Sequence, residues 1–161
     1  MLGLICGCDR NQTGVVDTAP KSVAEFFELR VGDKSVRAQI AVRESEMQRG
    51  LMERRDLGAN DGMLFVYARP QRMSFWMRNT PTPLNIGFFD KTGKLLEIYP
   101  LHPFDETGVS STSDQLLMAL EMKQGWFREN GIKPGAHLDL KSVAVALTAR
   151  GFKPDAFGLQ P

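Results

Sequence analysis

Cysteine is nearly missing from this 161-residue chain: it has two, Cys6 and Cys8, both at the start. Two thiols one residue apart build neither a disulfide framework nor a four-thiolate metal cage, so any core closes without crosslinks. Histidine is as scarce. His102 and His137 lie far apart, and neither belongs to a His-Glu-x-x-His or Cys-x-x-Cys pattern. No run of eighteen apolar residues exists, which excludes a complete transmembrane helix. Neither charge sign dominates: 20 Lys and Arg face 19 Asp and Glu, for a formal charge of +1. That balance excludes a chain-wide attraction for nucleic acid or anionic lipid. The phosphate-cradling loop, the dinucleotide fingerprint and the Gly-x-Ser-x-Gly elbow are missing too, so nucleotide and hydrolase templates fail.

What remains is 42% hydrophobic and 24% charged, the composition of an ordinary globular domain. Folding at this mass hides about 69% of the extended chain's surface, enough for one core. Phe27, Leu29 and Val31, a turn at Gly32-Asp33, then Val36, Ala38, Ile40 and Val42 predict a β-hairpin with one buried face. Ser45 is placed to cap a short helix running to about Leu51. Strands are expected at Gly62–Tyr67, Ser74–Arg78, Leu84–Asp90 and Lys94–Tyr99. Leu116, Met118, Leu120 and Met122 alternate as another, a helical turn follows at Gly125–Asn130, and a last strand at about His137–Leu140. Val143–Leu147 reads as an edge strand, and the final ten residues as peripheral. Short strands at this spacing predict a mainly β, single-domain sandwich, jelly-roll-like or barrel, with one or two short helices. The organisation expected is a signal remnant and tether over 1–24, a β-rich domain over 25–141 and a C-terminal extension over 142–161.

Leu4-Ile5-Cys6-Gly7-Cys8 resembles the end of a bacterial lipoprotein signal, in which a small residue precedes the cysteine that takes the lipid. Only seven residues precede Cys8 and none is basic, where such a signal needs a basic segment and about 7–15 apolar residues. A start codon assigned too late would account for that. The expectation is an exported protein, periplasmic or membrane-anchored through Cys8, against the plainer alternative of a frayed end with two incidental thiols.

Two segments carry candidate chemistry. Seven of the twelve arginines fall between positions 43 and 78, where there is no lysine. A guanidinium offers a planar fork that matches carboxylate or phosphate, so this concentration reads either as an anion pocket, with Arg49 and Arg54 foremost, or as surface pairing with the interspersed acids. The second segment is Met73-Ser74-Phe75-Trp76-Met77-Arg78-Asn79-Thr80-Pro81. Strand alternation sets Phe75 and Met77 on one face and Trp76 on the other, where it either packs under a loop or offers a stacking platform. Asn79 and Thr80 form a polar corner stiffened by the prolines that follow. A Ser110, His102 and Asp105 triad rests on sequence nearness alone. Met47, Met52 and Met73 are the only methionines placed for a soft metal, and their spacing argues against one. No metal or cofactor is expected.

At Arg49-Gly50-Leu51-Met52, Gly62-Met63-Leu64-Phe65-Val66, Phe75-Trp76-Met77-Arg78-Asn79-Thr80 and Pro83-Leu84-Asn85-Ile86, supported by Leu120-Glu121 and Gly131-Ile132-Lys133-Pro134-Gly135, the chain resembles the bacterial and archaeal family known as domain of unknown function 192. The resemblance spans roughly residues 25 to 141. It implies a compact β-rich domain, often behind an export signal, and supplies no activity. Asn85 stands where the family typically has Asp, which replaces a possible carboxylate by an amide unable to act as a base.

The leading expectation is a noncatalytic cell-envelope binding module. It takes a small or polymeric anionic ligand, or a carbohydrate, through Arg49, Arg54, Trp76, Asn79, Thr80 and Glu121. The rival is a hydrolase or lyase with Glu121 as acid or base and Arg49 stabilising negative charge. A protein-interaction module is the third reading. The first requires Arg49 and Trp76 on one face; the second requires a sheltered Glu121.

Overall fold

The computed structural model describes residues 19–159, so the expectations at Cys6 and Cys8, and for the first part of the tether, lie outside the described residues. Strands β1 (Phe27–Val31) and β2 (Lys34–Ala41) form the expected antiparallel hairpin, with Leu29 opposite Val36. The chain then does something a hairpin cannot: β3 (Asp61–Gln71) pairs parallel to β2. Parallel pairing demands a crossover, and helix α1 (Glu44–Arg49) with the loop behind it supplies one, laid over one face of the sheet.

Short β4 (Ser74–Phe75) pairs with β7 (Val109–Ser110) as a separate ribbon. Strands β5 (Leu84–Asp90) and β6 (Leu95–Leu101) make a second hairpin, and β8 (Leu116–Lys123) inserts between β3 and β5. The result is a mixed six-stranded sheet in the order β1-β2-β3-β8-β5-β6 beside the two-stranded ribbon, a mainly β, sandwich-like fold. It is not a closed barrel. Residues 136–139 bridge its edges at one end, where Gly32 donates to His137, Asp139 to Arg30 and Leu95 to Ala136, but no strand completes the circuit. The strand expected at 137–140 is reduced to those bridges.

Both faces of the sheet are covered, which is why β8 is buried almost throughout. One face packs Leu64, Val66, Met118, Leu120 and Met122 against Trp126, Phe127, Val143 and Leu147. The other packs Met63, Phe65, Ile86, Phe88 and Ala119 against Leu51, Leu57, Met73 and Met77. Leu116 was expected on the face of Met118. It lies on the other, because the register slips on both sides of β8 and leaves Leu117 without a partner.

Three local expectations change. Arg43, not Ser45, stands at the N-terminus of α1; Ser45 is inside the first turn, and the Glu46 carboxylate accepts the Val42 and Arg43 N–H groups at 3.0 Å. The strand at Ser74–Arg78 stops at Phe75, since Met77 turns to donate to the carbonyl of Asp105. Val143–Leu147 belongs to helix α3 (Leu140–Ala149), which follows α2 (Trp126–Glu129); Asp139 caps α3 by accepting from Lys141 N–H. The final residues are not peripheral: Phe157 and Leu159 are buried in the first core. No helix among the described residues is long and apolar enough to cross a membrane.

Candidate functional site

Glu121 is the centre of the arrangement. It lies in β8 between Met63 of β3 and Ile86 of β5, in the middle of the sheet. Leu120 and Met122 point into the first core, so alternation sends Glu121 to the opposite face, where it is 4% exposed. Gly62 lets β3 lie close against β8 here: a Cβ there would strike the carbonyl oxygen of Glu121 and the sulfur of Met122. Burial pushes the Glu121 carboxyl up to about 8, so it is largely uncharged at neutral pH. No described residue hydrogen-bonds or ion-pairs with it. Its oxygens are not sealed in, because no fully buried polar side-chain atom among the described residues lacks a partner; they face a hollow. Tyr67, two positions beyond Phe65 on β3, is raised to about 12 by its own burial and then by nearby Glu121.

The hollow measures about 30 Å³, and Arg49, Gly50, Met52, Phe75, Trp76 and Thr80 are among the residues around Glu121. It admits on the order of one water molecule, or one functional group of a ligand. The chain leaves α1 through Gly50 at φ 48°, a left-handed backbone suited to glycine, which turns Leu51 and Met52 over the sheet. Arg49 extends outward, 70% exposed, with one guanidinium nitrogen 3.3 Å from Glu53. Trp76 is 46% exposed rather than packed under a loop, and the Arg78 guanidinium sits 5.6 Å from its ring centroid. Of the residues singled out in the sequence, Arg49, Trp76, Thr80 and Glu121 therefore converge on one hollow. Thr80 is also structural: its hydroxyl donates to the carbonyl of Arg78.

Arg54 lies elsewhere, lining a neighbouring hollow of about 170 Å³ with Arg49 and Gln39. Its fork is already committed, with Nε 2.6 Å from Asp56 and a terminal nitrogen 2.9 Å from the buried Gln39. Asn79, at φ 52°, lines a third hollow of about 410 Å³ with Glu53, Arg55, Pro81 and Phe104. Asn85 uses both ends of its amide, accepting from Gly125 N–H at 2.7 Å and donating to the Tyr99 carbonyl at 3.3 Å. A carboxylate there could make only the first bond. Ser110 donates to Ser74 at 3.1 Å, not to His102, so no triad assembles.

The helix carrying Arg49 is fixed from the far end of the chain. Arg150, after α3, is only 1% exposed; it pairs with Glu46 of α1 and donates to the carbonyls of Lys21 and Ile40. Burial raises the Glu46 carboxyl, but Arg150, the two backbone N–H groups and Arg43 outweigh it and hold it down at about 2. Sequence reasoning missed Arg150, Tyr67 and Phe104, and it weighed Met47 and Met52 only as metal ligands. Met52 lies in the Arg49-Gly50-Leu51-Met52 string, but pairing across 104 positions leaves no local trace.

Similar proteins share this scaffold. A protein of unknown function from Novosphingobium aromaticivorans DSM 12444 is 29% identical, with a TM-score of 0.68, over 83% of this chain and 99% of that one. A structure from Sinorhizobium meliloti 1021, provisionally described as a transcription regulator, is 28% identical with a TM-score of 0.64, over 71% of this chain and 92% of that one. No curated protein matches. Residues 27–140, from β1 to the start of α3, match the family DUF192, described as "Uncharacterized ACR". The chain therefore belongs to the DUF192 family.

Proposed function

We propose that the protein is an exported binding module for a small anionic or carbohydrate ligand, one group of which enters the hollow over Glu121. The observation that carries this reading is the convergence of an unpartnered buried carboxyl, an exposed indole and an exposed guanidinium on one concavity. Each supplies a different recognition chemistry. An uncharged carboxyl donates and accepts hydrogen bonds, the indole face covers a sugar ring, and Arg49 can leave Glu53 for a ligand carboxylate at little cost, because exposed ion pairs are weak. Export remains part of the proposal through the string before Cys8. Nucleic acid does not, because a formal charge of +1 supplies no phosphate-binding excess, and the regulatory description of the S. meliloti relative is not carried over.

The test is a thermal-shift titration with galacturonate, glucose and simple carboxylates on the wild type, Arg49→Ala and Trp76→Ala. A ligand that prefers the folded state raises the melting temperature with concentration, by the equivalent of about 2.7 kcal/mol at 100 times its Kd. The expected result is a shift in the wild type that shrinks in both variants. Equal shifts in all three remove Arg49 and Trp76 from the site, and no shift with any probe contradicts the reading.

One observation favours a second reading, an enzyme. A carboxyl titrating near 8 in a sheltered hollow is a general acid at neutral pH. Slow cleavage of an oligogalacturonide by wild type but not by Glu121→Gln would establish it.

A further inference from the structure

Resting on the binding reading above, we infer that the site is the deep end of a longer groove, and that its ligand is an oligosaccharide carrying carboxylates rather than a single sugar. The hollow over Glu121, about 30 Å³, takes one hydroxyl or carboxyl but no ring, so the body of any ligand lies outside it.

Outside it lies the hollow of about 410 Å³ lined by Glu53, Arg55, Asn79, Pro81 and Phe104. The two adjoin without a common lining residue: Glu53 of one pairs with Arg49 of the other at 3.3 Å, and Asn79 of one is followed directly in the chain by Thr80 of the other. Backbone bonds from Met77 to Asp105 and from Phe104 to Thr80 lay the Trp76 segment along the Phe104 segment. Trp76 and Phe104, 46% and 59% exposed, are two of the three large exposed apolar side chains among the described residues, and this ridge carries both.

Backbone conformation marks the same place. Among the described residues, the non-glycine positions with left-handed φ are Glu53, Asn79 and Phe104, and all three line this hollow. Asparagine adopts that conformation readily, whereas for glutamate and phenylalanine it is costly. Phe104 thus combines an unfavourable backbone conformation with a ring exposed to water. Rings displayed in sequence beside polar groups suit stacked sugars. The charge suits acidic ones: Arg55 has no ion pair or hydrogen bond among the described residues, the Arg78 guanidinium has only the Trp76 ring beside it, and Glu53, the acid of this hollow, is paired with Arg49.

The test is calorimetric titration with mono-, di- and tetragalacturonate, with maltotetraose as the neutral control and an acidic peptide as the competing polymer. The variants are Phe104→Asn, which tolerates the left-handed backbone, and Arg55→Ala, both at exposed positions. Affinity is expected to rise about tenfold or more from monomer to tetramer. Both variants should lose that gain and keep monomer binding, with maltotetraose weaker than tetragalacturonate. Equal affinity for monomer and tetramer, or a gain retained in Phe104→Asn, overturns the groove and leaves the small-ligand reading standing. Tighter binding of maltotetraose overturns the acidic assignment, and binding of the peptide alone overturns the saccharide. If no probe binds wild type, both readings fall.

Discussion

Glu121 and the two arginines show how far a single side chain can be read from sequence. An acid between Leu120 and Met122 in an apolar strand is visible in the string itself, and so are Arg49 and Trp76 in their motifs. Whether a guanidinium is free is not visible, because its partners come from distant positions. Arg54 is spent on Asp56 and Gln39, while Arg49 holds one exposed acid. The two alanine variants should therefore behave oppositely. Arg54→Ala strands the buried Gln39 oxygen and should cost about 1–3 kcal/mol in urea unfolding. Arg49→Ala should stay within about 0.5 kcal/mol of wild type and lose ligand instead. The Asn85 substitution, a possible loss of a base when read from sequence, proves to be a structural amide whose two bonds tie Gly125 to Tyr99.

Elements were legible where burial is periodic and local. The β1-β2 hairpin and most of β8 follow from alternation, whereas β5 and part of β3 show as short apolar runs, buried on both faces. Leu140, Val143, Ala144 and Leu147 of helix α3 carry the helical spacing and three alanines favour it, but the alternation of Val143 and Val145 with alanines imitates a strand and hides the helix. The parallel β2-β3 pairing was equally silent, because crossover topology is set by which faces must be covered and not by either strand's own pattern. The consequence is functional: α1, which carries Arg49, is held by Arg150 at the end of α3. Arg150→Ala removes the main partner of Glu46 and should cost about 3 kcal/mol, at the low end for a buried pair because Arg43 remains. It should also weaken ligand binding, which a binding assay at a temperature well below its melting point would detect. Gly62→Ala should likewise destabilise by about 1–3 kcal/mol or more, as its methyl group meets β8.

Across the whole molecule, two acids, half-buried Glu46 and buried Glu121, set opposite limits on stability. Glu46 is lowered from 4.5 to about 2, so its contribution is complete above pH 4.5 and is lost as pH falls toward 2. Glu121 is raised from 4.5 to about 8, so its contribution is complete below pH 4.5 and is lost as pH rises through 8. Together they predict maximum stability near pH 4.5 and a decline on the order of a few kcal/mol toward alkaline pH. Melting temperatures across this range should fall from pH 4.5 to 8 in wild type and stay nearly level in Glu121→Gln, which has no charge to bury. An anionic ligand should follow the same titration, binding well below about 8 and losing roughly tenfold per pH unit above it as Glu121 ionises.

The most direct measurement is a carbon-13 NMR titration of the Glu121 side-chain carboxyl, with and without galacturonate, assigned by comparison with Glu121→Gln. The expected result is a midpoint near 8 in the free protein, with a displaced resonance and midpoint when ligand is present. A midpoint near 4.5, unmoved by the ligand, would mean that this carboxyl is solvated like any surface acid and that the hollow above it recognises nothing.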